Sequence, residues 1–447
     1  MLSPTGRAPG NFRTTVVRTT PSPPMRTLPA LLLGLSLAAC GNSSVDAPPA
    51  DASPAADVLS AADAPSEDVP ACEPSSEQPR PRGDSAGAVD PVTGAFYLFG
   101  GDVGPVVSCM ARPAFDDETW RFDPRCNRWT RLTPSVCPSA RSRTAYALDA
   151  RRRRMLVFGG RSRAGASGAY TLYRELWSLD LAEGRWELLG PKGEIPAARA
   201  NATLVVDAAS DSAILFGGNT STDGARFTPR NDTWRLNLAT LEWSRITAAS
   251  SPPARQFHAA VVRDGAMIVL GGGDANAFTG PFLTDAWRLD LAASRWSRLP
   301  LSGDTEALAG RISHSLAARA DDVVIVGGHD DGALGNRNDV LALDPSGAVS
   351  QRSAGDTLQT PGNGFCDFPP DFALIDESAP ERRSAFVLAE DPARQRVIVY
   401  GGKTDCGTAS DLWSLDLRSL AWTSLRGTID GLACGRTGRE NCRSLCQ

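Results

Sequence analysis

Lysine is almost absent from this chain: of 46 basic side chains, only Lys192 and Lys403 carry an ammonium. Nearly every positive charge is a planar guanidinium, suited to forked contacts with carboxylates. Histidine is scarce, with three in 447 residues, and tyrosine with five. So few imidazoles and phenols predict neither a metal centre nor a cofactor. The longest apolar stretch, ahead of Cys40, runs to about ten residues and is too short to span a bilayer as a helix. The sequence contains no G-x-x-x-x-G-K-[ST] phosphate loop and no Cys-x-x-Cys pair. These absences argue against nucleotide-driven and thioredoxin-like chemistry.

The net charge of −5 is unevenly placed. Residues 41–79 hold eight acids and no Lys or Arg, whereas residues 1–40 hold four arginines and no acid. The remainder is nearly neutral, which gives no electrostatic bias toward nucleic acid.

What the chain has in abundance is glycine in doublets after apolar runs. "FYLFGG" (96–101), "MLVFGG" (155–160), "AILFGG" (213–218), "MIVLGGG" (267–273), "VVIVGG" (323–328) and "VIVYGG" (397–402) are six copies of one pattern. A period of this length signals a propeller or solenoid rather than unrelated domains. Each doublet is followed by an acid two residues before a Trp position: Glu118, Glu175, Asp232, Asp285, Asp339 and Asp411. All ten tryptophans fall on two repeat positions, first Trp120, Trp177, Trp234, Trp287 and Trp413, then Trp129, Trp186, Trp243, Trp296 and Trp422. The fifth unit carries Leu341 and Ser350 there instead. Ahead of each doublet an arginine opens a strand, read as Arg82, Arg141, Arg199, Arg255, Arg311 and Arg382. At fixed offsets, arginine and acid read as internal charge-paired supports.

An Arg-led strand, an apolar strand ending in Gly-Gly, a strand ending in Asp and a strand carrying Trp resemble the kelch repeat over residues 82–425. The resemblance implies an all-β fold, a six-bladed β-propeller with four antiparallel strands per blade over residues 81–427. Crowding between neighbouring blades is then the expected reason for glycine at the doublets.

The segment "MRTLPALLLGLSLAACGNSS" resembles a bacterial lipoprotein signal, with Leu37 to Cys40 as its lipobox. That resemblance implies a signal region over 1–39 starting at Met25, cleavage before Cys40 and lipidation of Cys40. Residues 40–80 then read as a disordered Ala/Pro/Asp-rich tether, and 428–447 as a Cys-rich C-terminal tail. The expected location is the cell envelope, by way of export and a lipid anchor that is the chain's sole membrane contact. Gly41, where an Asp commonly signals inner-membrane retention, points to the outer membrane.

What recurs in every unit is expected to be architecture, and what differs is expected to carry function. His258 and His314 each follow a strand-opening Arg by three residues and so read as core. In an alternating sheet the 2–3 loops and 4–1 connections share one face, and the variable segments fall there. Arg161, Arg163, Tyr170, Tyr173, Arg226, Phe227, Arg230, Phe278, Phe282 and His329 supply aromatic and guanidinium chemistry suited to binding. The "DARRRRMLV" run (Arg151 to Arg154) reads as a solvated 1–2 turn. Ten cysteines in an exported chain imply disulfides. Loop parity predicts Cys109–Cys137 and Cys366–Cys406, with Cys72 joined to Cys434, Cys442 or Cys446 and Cys126 unpaired.

The function expected is a monomeric, non-catalytic scaffold that binds a protein, peptide or glycan and no nucleic acid. The alternative is a sugar-acting envelope enzyme, as some kelch propellers are sialic-acid mutarotases. It would need a carboxylate and an arginine converging on the channel mouth outside the repeat pairs, with Glu194, Glu306, Asp330 and Asp405 the nearest candidates. Galactose-oxidase-like copper chemistry lacks its residues, and the sialidase Asp-box is absent.

Overall fold

A computed structural model describes Cys72 and residues 77–104, 113–165, 167–330, 335–358, 373–405 and 407–427. The chain divides into Met1–Leu37 and Ala38–Gln447; every described residue belongs to the second unit. Cys40, Cys109, Cys366, Cys406, Cys434, Cys442 and Cys446 lie outside the described residues, as do the signal region and the tail.

Six sheets follow one another along the chain, each built on four antiparallel strands, with short extra strands added to the third and fifth. Their inner strands are Ala86–Val89, Ala145–Asp149, Thr203–Asp207, Ala259–Arg263, Ser315–Ala318 and Val387–Asp391. Each second strand is a continuous apolar run, as in Ser212–Phe216, buried at every position. Such a run, apolar on both faces rather than alternating, suits a strand covered on both sides by neighbouring blades. The inner strands neighbour one another in cyclic order, the first also lying against the last. The expected six-bladed propeller is what forms.

The second glycine of every doublet donates its N–H to the carbonyl of the next blade's repeat arginine. The pairs are Gly101 to Arg141, Gly160 to Arg199, Gly218 to Arg255, Gly272 to Arg311, Gly328 to Arg383 and Gly402 to Arg82, each at 2.9 Å. The sixth bond returns to the first blade and closes the ring. At Gly217, φ is +66° and a Cβ would stand 2.8 Å from the Arg255 carbonyl oxygen and 2.9 Å from His258 Cε1. Glycine is there because a side chain has neither room nor a favourable conformation.

The second tryptophans lie between blades. Trp186 packs on Phe99 (ring centroids 4.8 Å apart), Trp243 on Phe158 (5.6 Å), Trp296 on Phe216 (5.0 Å) and Trp129 on Tyr400 (5.4 Å). Each partner is the residue just before the preceding blade's doublet. In blade five, where Ser350 replaces the tryptophan, that partner is the smaller Leu270, so both halves of the contact shrink together.

Two expectations at the opposite end are corrected. The Arg151 to Arg154 run forms the expected 1–2 turn with Arg151 exposed, but its other members face protein as well as solvent and clamp three blades. Arg153 holds Asp90 of blade one through two bonds of 3.0 and 2.8 Å, and Arg152 holds Asp211 of blade three through two of 2.7 Å. Cys126 is not the unpaired thiol, and Cys72 does not reach the C-terminal tail: the two are joined to each other, with Cα atoms 5.4 Å apart. The reason lies in the path of the connections. Lys192–Gly193 runs parallel to the outer strand of the blade it enters, starting at that blade's 3–4 turn, and Ser302–Gly303 does the same. Cys72, ahead of blade one, meets the equivalent turn at Cys126. Cys137 is also disulfide-bonded, to a partner outside the described residues.

Candidate ligand-binding face

The repeat arginines and acids satisfy one another. Arg199 donates to the Gly217 carbonyl at 2.9 Å and grips both oxygens of Asp232 at 2.7 and 2.8 Å, while the Trp234 indole donates to the same carboxylate at 2.7 Å. Blades one, two, four and six repeat this with Arg82–Glu118, Arg141–Glu175, Arg255–Asp285 and Arg383–Asp411. In blade five Arg311 holds Asp339, and Arg337 at 3.4 Å stands where the missing indole would donate. Burial raises the Asp232 carboxyl, but the bonds and charge of Arg199 outweigh it and hold the group below its ordinary range. The sixth repeat arginine is Arg383, not Arg382: in the Arg-Arg pair the later residue takes the repeat register. Arg382 joins Asp356 at 3.1 Å and also bonds Asp405.

Two residues past each repeat arginine, the chain forms a collar around the axis. Asp84, Arg143, Asn201, Phe257, Ser313 and Ala385 all have left-handed backbones, with φ from 52° to 59°. Each donates its N–H to the preceding member's carbonyl at 2.7–3.3 Å, and Asp84 closes the circle onto Ala385. Non-glycine residues are strained there, and the closed circle of bonds holds them. The collar crowns an axial cavity of about 430 Å³. A second ring is set by the residue after each doublet: Asp102, Arg161, Asn219, Gly273, His329 and Lys403. Backbone is uniform at these twelve positions and side chains are not.

The mouth is two-sided. On blades six, one and two, Lys403 bridges Asp84 and Asp102 at 2.9 Å each, and Arg143 Nε meets Asp84 at 3.1 Å. Burial pushes the Asp84 carboxyl up, but Arg143 and Lys403 overrule it and hold it well below the carboxylate range. Arg161 is 7% exposed and lies over the Tyr170 ring at 4.0 Å. Among the described residues it has no ion-pair partner. Its burial, and then the charge of Arg143, depress its pKa to about 9. Buried Nε of Arg161 and Nη1 of Arg143 have no hydrogen-bond acceptor. On blades three and four, Phe227, Phe257 and Phe278 form a cluster with centroids 5.1–6.4 Å apart, Phe227 meeting the other two edge to face. Arg143 lies over Phe257 at 4.9 Å and Phe278 at 5.6 Å, joining the two halves.

Of the residues singled out in the sequence, Arg161, Arg163 and Tyr170 come together as one cation–π stack, and Phe227 and Phe278 as the aromatic cluster. Phe282 is buried beside His329, with ring centroids 6.2 Å apart. Tyr173 is a support under repeat Arg141, 3.7 Å from its guanidinium. Arg226 and Arg230 are exposed on the 219–230 loop. His258 donates to or accepts from Thr203 at 2.9 Å and packs on Phe216. Burial drives the imidazole of His258 well below its ordinary range and that of His314 to about 3. Asp330 pairs with Arg337, while Glu194 and Glu306 are exposed beside the 4–1 connections. Asp84, Arg143, Phe257 and Lys403 escape a sequence reading. Their only signal is an offset from the repeat, two past each arginine or one past each doublet, at which identity changes.

A closed ring of six such units with variable side chains gathered at one mouth defines a propeller of kelch type. The KLHDC2/KLHL20/DRC7 Kelch-repeats domain matches residues 85–328, and the chain belongs to the kelch-repeat family. Kelch domain-containing protein 10 of Xenopus tropicalis is 25% identical over 324 residues, covering 67% of this chain and 72% of that protein. The Homo sapiens protein of the same name is 24% identical over 296 residues, covering 64% and 61%. The solved structure of YjhT shares the fold, with a TM-score of 0.55 at 14% identity over 78% of this chain and 99% of that one.

Proposed function

We propose that this chain is an exported propeller, acylated at Cys40 and tethered in the cell envelope, at the outer membrane, by the segment between Cys40 and Cys72. It binds a protein, peptide or glycan without catalysis, through the mouth formed by the collar and the 2–3 loops. One observation carries this reading. The repeat arginines and acids are paired internally, while the mouth keeps guanidinium donors without acceptors beside an exposed aromatic, Phe278, at 53%. Unspent donors and exposed rings in a concave, backbone-rigid setting are what a binding site requires.

The sugar-acting alternative draws on Asp84 and Arg143, a carboxylate and arginine at the mouth outside the repeat pairs. Asp84 serves it poorly: a general base works best with a pKa near the operating pH, and Asp84 is held far below it between two cations. The test is capture from envelope extract by the full chain, beside a glycan array, comparing wild type with Phe278→Ala and with Arg226→Ala/Arg230→Ala. Retained partners lost on Phe278→Ala support the mouth; capture indifferent to it refutes the mouth. Labelled palmitate entering wild type and not Cys40→Ser tests the anchor.

A further inference from the structure

The axial cavity holds an unbalanced charge well away from the mouth. Among the described residues, four carboxylates border it: Asp84, Asp149, Asp211 and Glu390. Asp84 meets Arg143 and Lys403, Asp149 meets Arg152 and Arg154, and Asp211 meets Arg152 and Arg151. Glu390 meets no cation among the described residues. Its Oε1 accepts the Ala318 N–H of blade five at 3.1 Å, whereas Oε2 takes no hydrogen bond. Burial raises the carboxyl above its ordinary range, and no basic side chain opposes that shift. Glu390 is also the exception at its register. In every blade one inner-strand residue pairs with the residue four before the first doublet glycine, and these are Val89, Leu148, Val206, Val262, Ala318 and Glu390. Five are apolar and one is an acid.

The surroundings select the counter-ion. A metal ion such as calcium or magnesium takes about six oxygen ligands, and here a single carboxylate stands among the aliphatic side chains of Leu148, Val206, Val262 and Leu316. An anion with one oxygen free and apolar walls around it is complemented by an ammonium group on an apolar stem. The volume, about 430 Å³, is that of pockets which enclose small organic ligands. Glu390 lies five residues along its strand from Ala385 of the collar, roughly 15 Å at the rise of a strand, so the mouth cations leave its charge unanswered. We propose that the axial channel is a second binding site, for a small alkylammonium whose head rests on Glu390 and whose stem lies against Leu148, Val206 and Val262. This site is separate from the mouth and does not depend on it.

The full chain, with isotope-labelled Leu and Val methyl groups, is titrated with n-butylammonium and n-hexylammonium chloride and followed by NMR. Butanol, hexanol and sodium chloride are titrated alongside. Both amines should shift the methyl signals of Leu148, Val206 and Val262 in a saturable way. Each alcohol should bind about tenfold or more weakly than its amine, the scale of a charge-assisted hydrogen bond, and sodium should leave the signals unmoved. Glu390→Gln keeps an oxygen for the Ala318 N–H and should erase the preference for amine over alcohol. Glu183→Gln, exposed on a 3–4 turn of blade two, should bind as wild type. The proposal falls if neither amine moves these methyls, if the alcohols bind as tightly as the amines, or if sodium gives the same shifts. It also falls if Glu390→Gln retains the preference for amine. The comparison of amine with alcohol in wild type decides the matter even where the variant does not fold.

Discussion

Replacing Gly217 by alanine separates the close approach of two blades from ordinary backbone strain, provided it is compared with Gly265→Ala. Both glycines have φ of +66°, so both variants incur the left-handed penalty of about 1–2 kcal/mol. Gly265 has no atom within 4 Å of its would-be Cβ, and its cost should end there. At Gly217 the new methyl meets the Arg255 carbonyl oxygen at 2.8 Å and His258 Cε1 at 2.9 Å, and something must shift. The same carbonyl accepts the Gly218 N–H at 2.9 Å across the interface of blades three and four. Pushing it away weakens that bond, worth about 1 kcal/mol net, and moving the imidazole strains its hydrogen bond with Thr203. Gly217→Ala should therefore cost about 2–4 kcal/mol in all. Thermal unfolding of both variants, with amide exchange at Gly218 as a local readout, makes the comparison. Equal losses of Tm, or unchanged protection at Gly218, would refute the argument that the doublet exists for the blade interface.

Three other outcomes are expected. Cys72→Ser with Cys126→Ser opens a 54-residue loop and should lower stability by about 4 kcal/mol in the chain-entropy model; a non-reducing peptide map lacking the Cys72–Cys126 cross-link in wild type would contradict the pairing. Asp232→Asn leaves Arg199 buried with no charge partner and should cost about 3–5 kcal/mol, read by denaturant unfolding; a loss under 1 kcal/mol would show the pair to be dispensable. His258 and His314 are held neutral by burial, so the unfolded chain takes up protons that the folded one refuses. Their contribution is complete above the ordinary histidine pKa of about 6.5 and is lost as pH falls from there toward about 3 for His314, at roughly 1.4 kcal/mol per pH unit for each. His314→Gln should flatten the decline in stability between pH 6 and about 4, and an unchanged slope would show the imidazole to be protonated in the fold.

The blade count and the internal ion pairs were legible because crowding between blades imposes the same residues at the same offsets six times. Gly-Gly, Trp and the Arg–acid pairs are visible wherever that constraint acts. The mouth was not legible for the opposite reason. At Asp84, Arg143 and Phe257 the backbone is repeated and the side chain is free, so no residue type marks the position. Arg382 stood beside Arg383 with nothing in the sequence to say which would reach Asp411. Cys72 and Cys126 meet because a connection tracks the outer strand of the blade it enters, a path that loop parity alone does not contain. The Arg151 to Arg154 run looked solvated because its partners, Asp90 and Asp211, sit one blade away on either side.

The central claim is that ligand engages the mouth where identity varies on a uniform backbone. Amide hydrogen exchange of the full chain, with and without a bound partner, tests it most directly. Protection should concentrate at residues 142–144, 160–165, 256–258 and 274–283. Protection confined to the opposite-end turns at 150–154 and 208–211, with the collar unaffected, would contradict it.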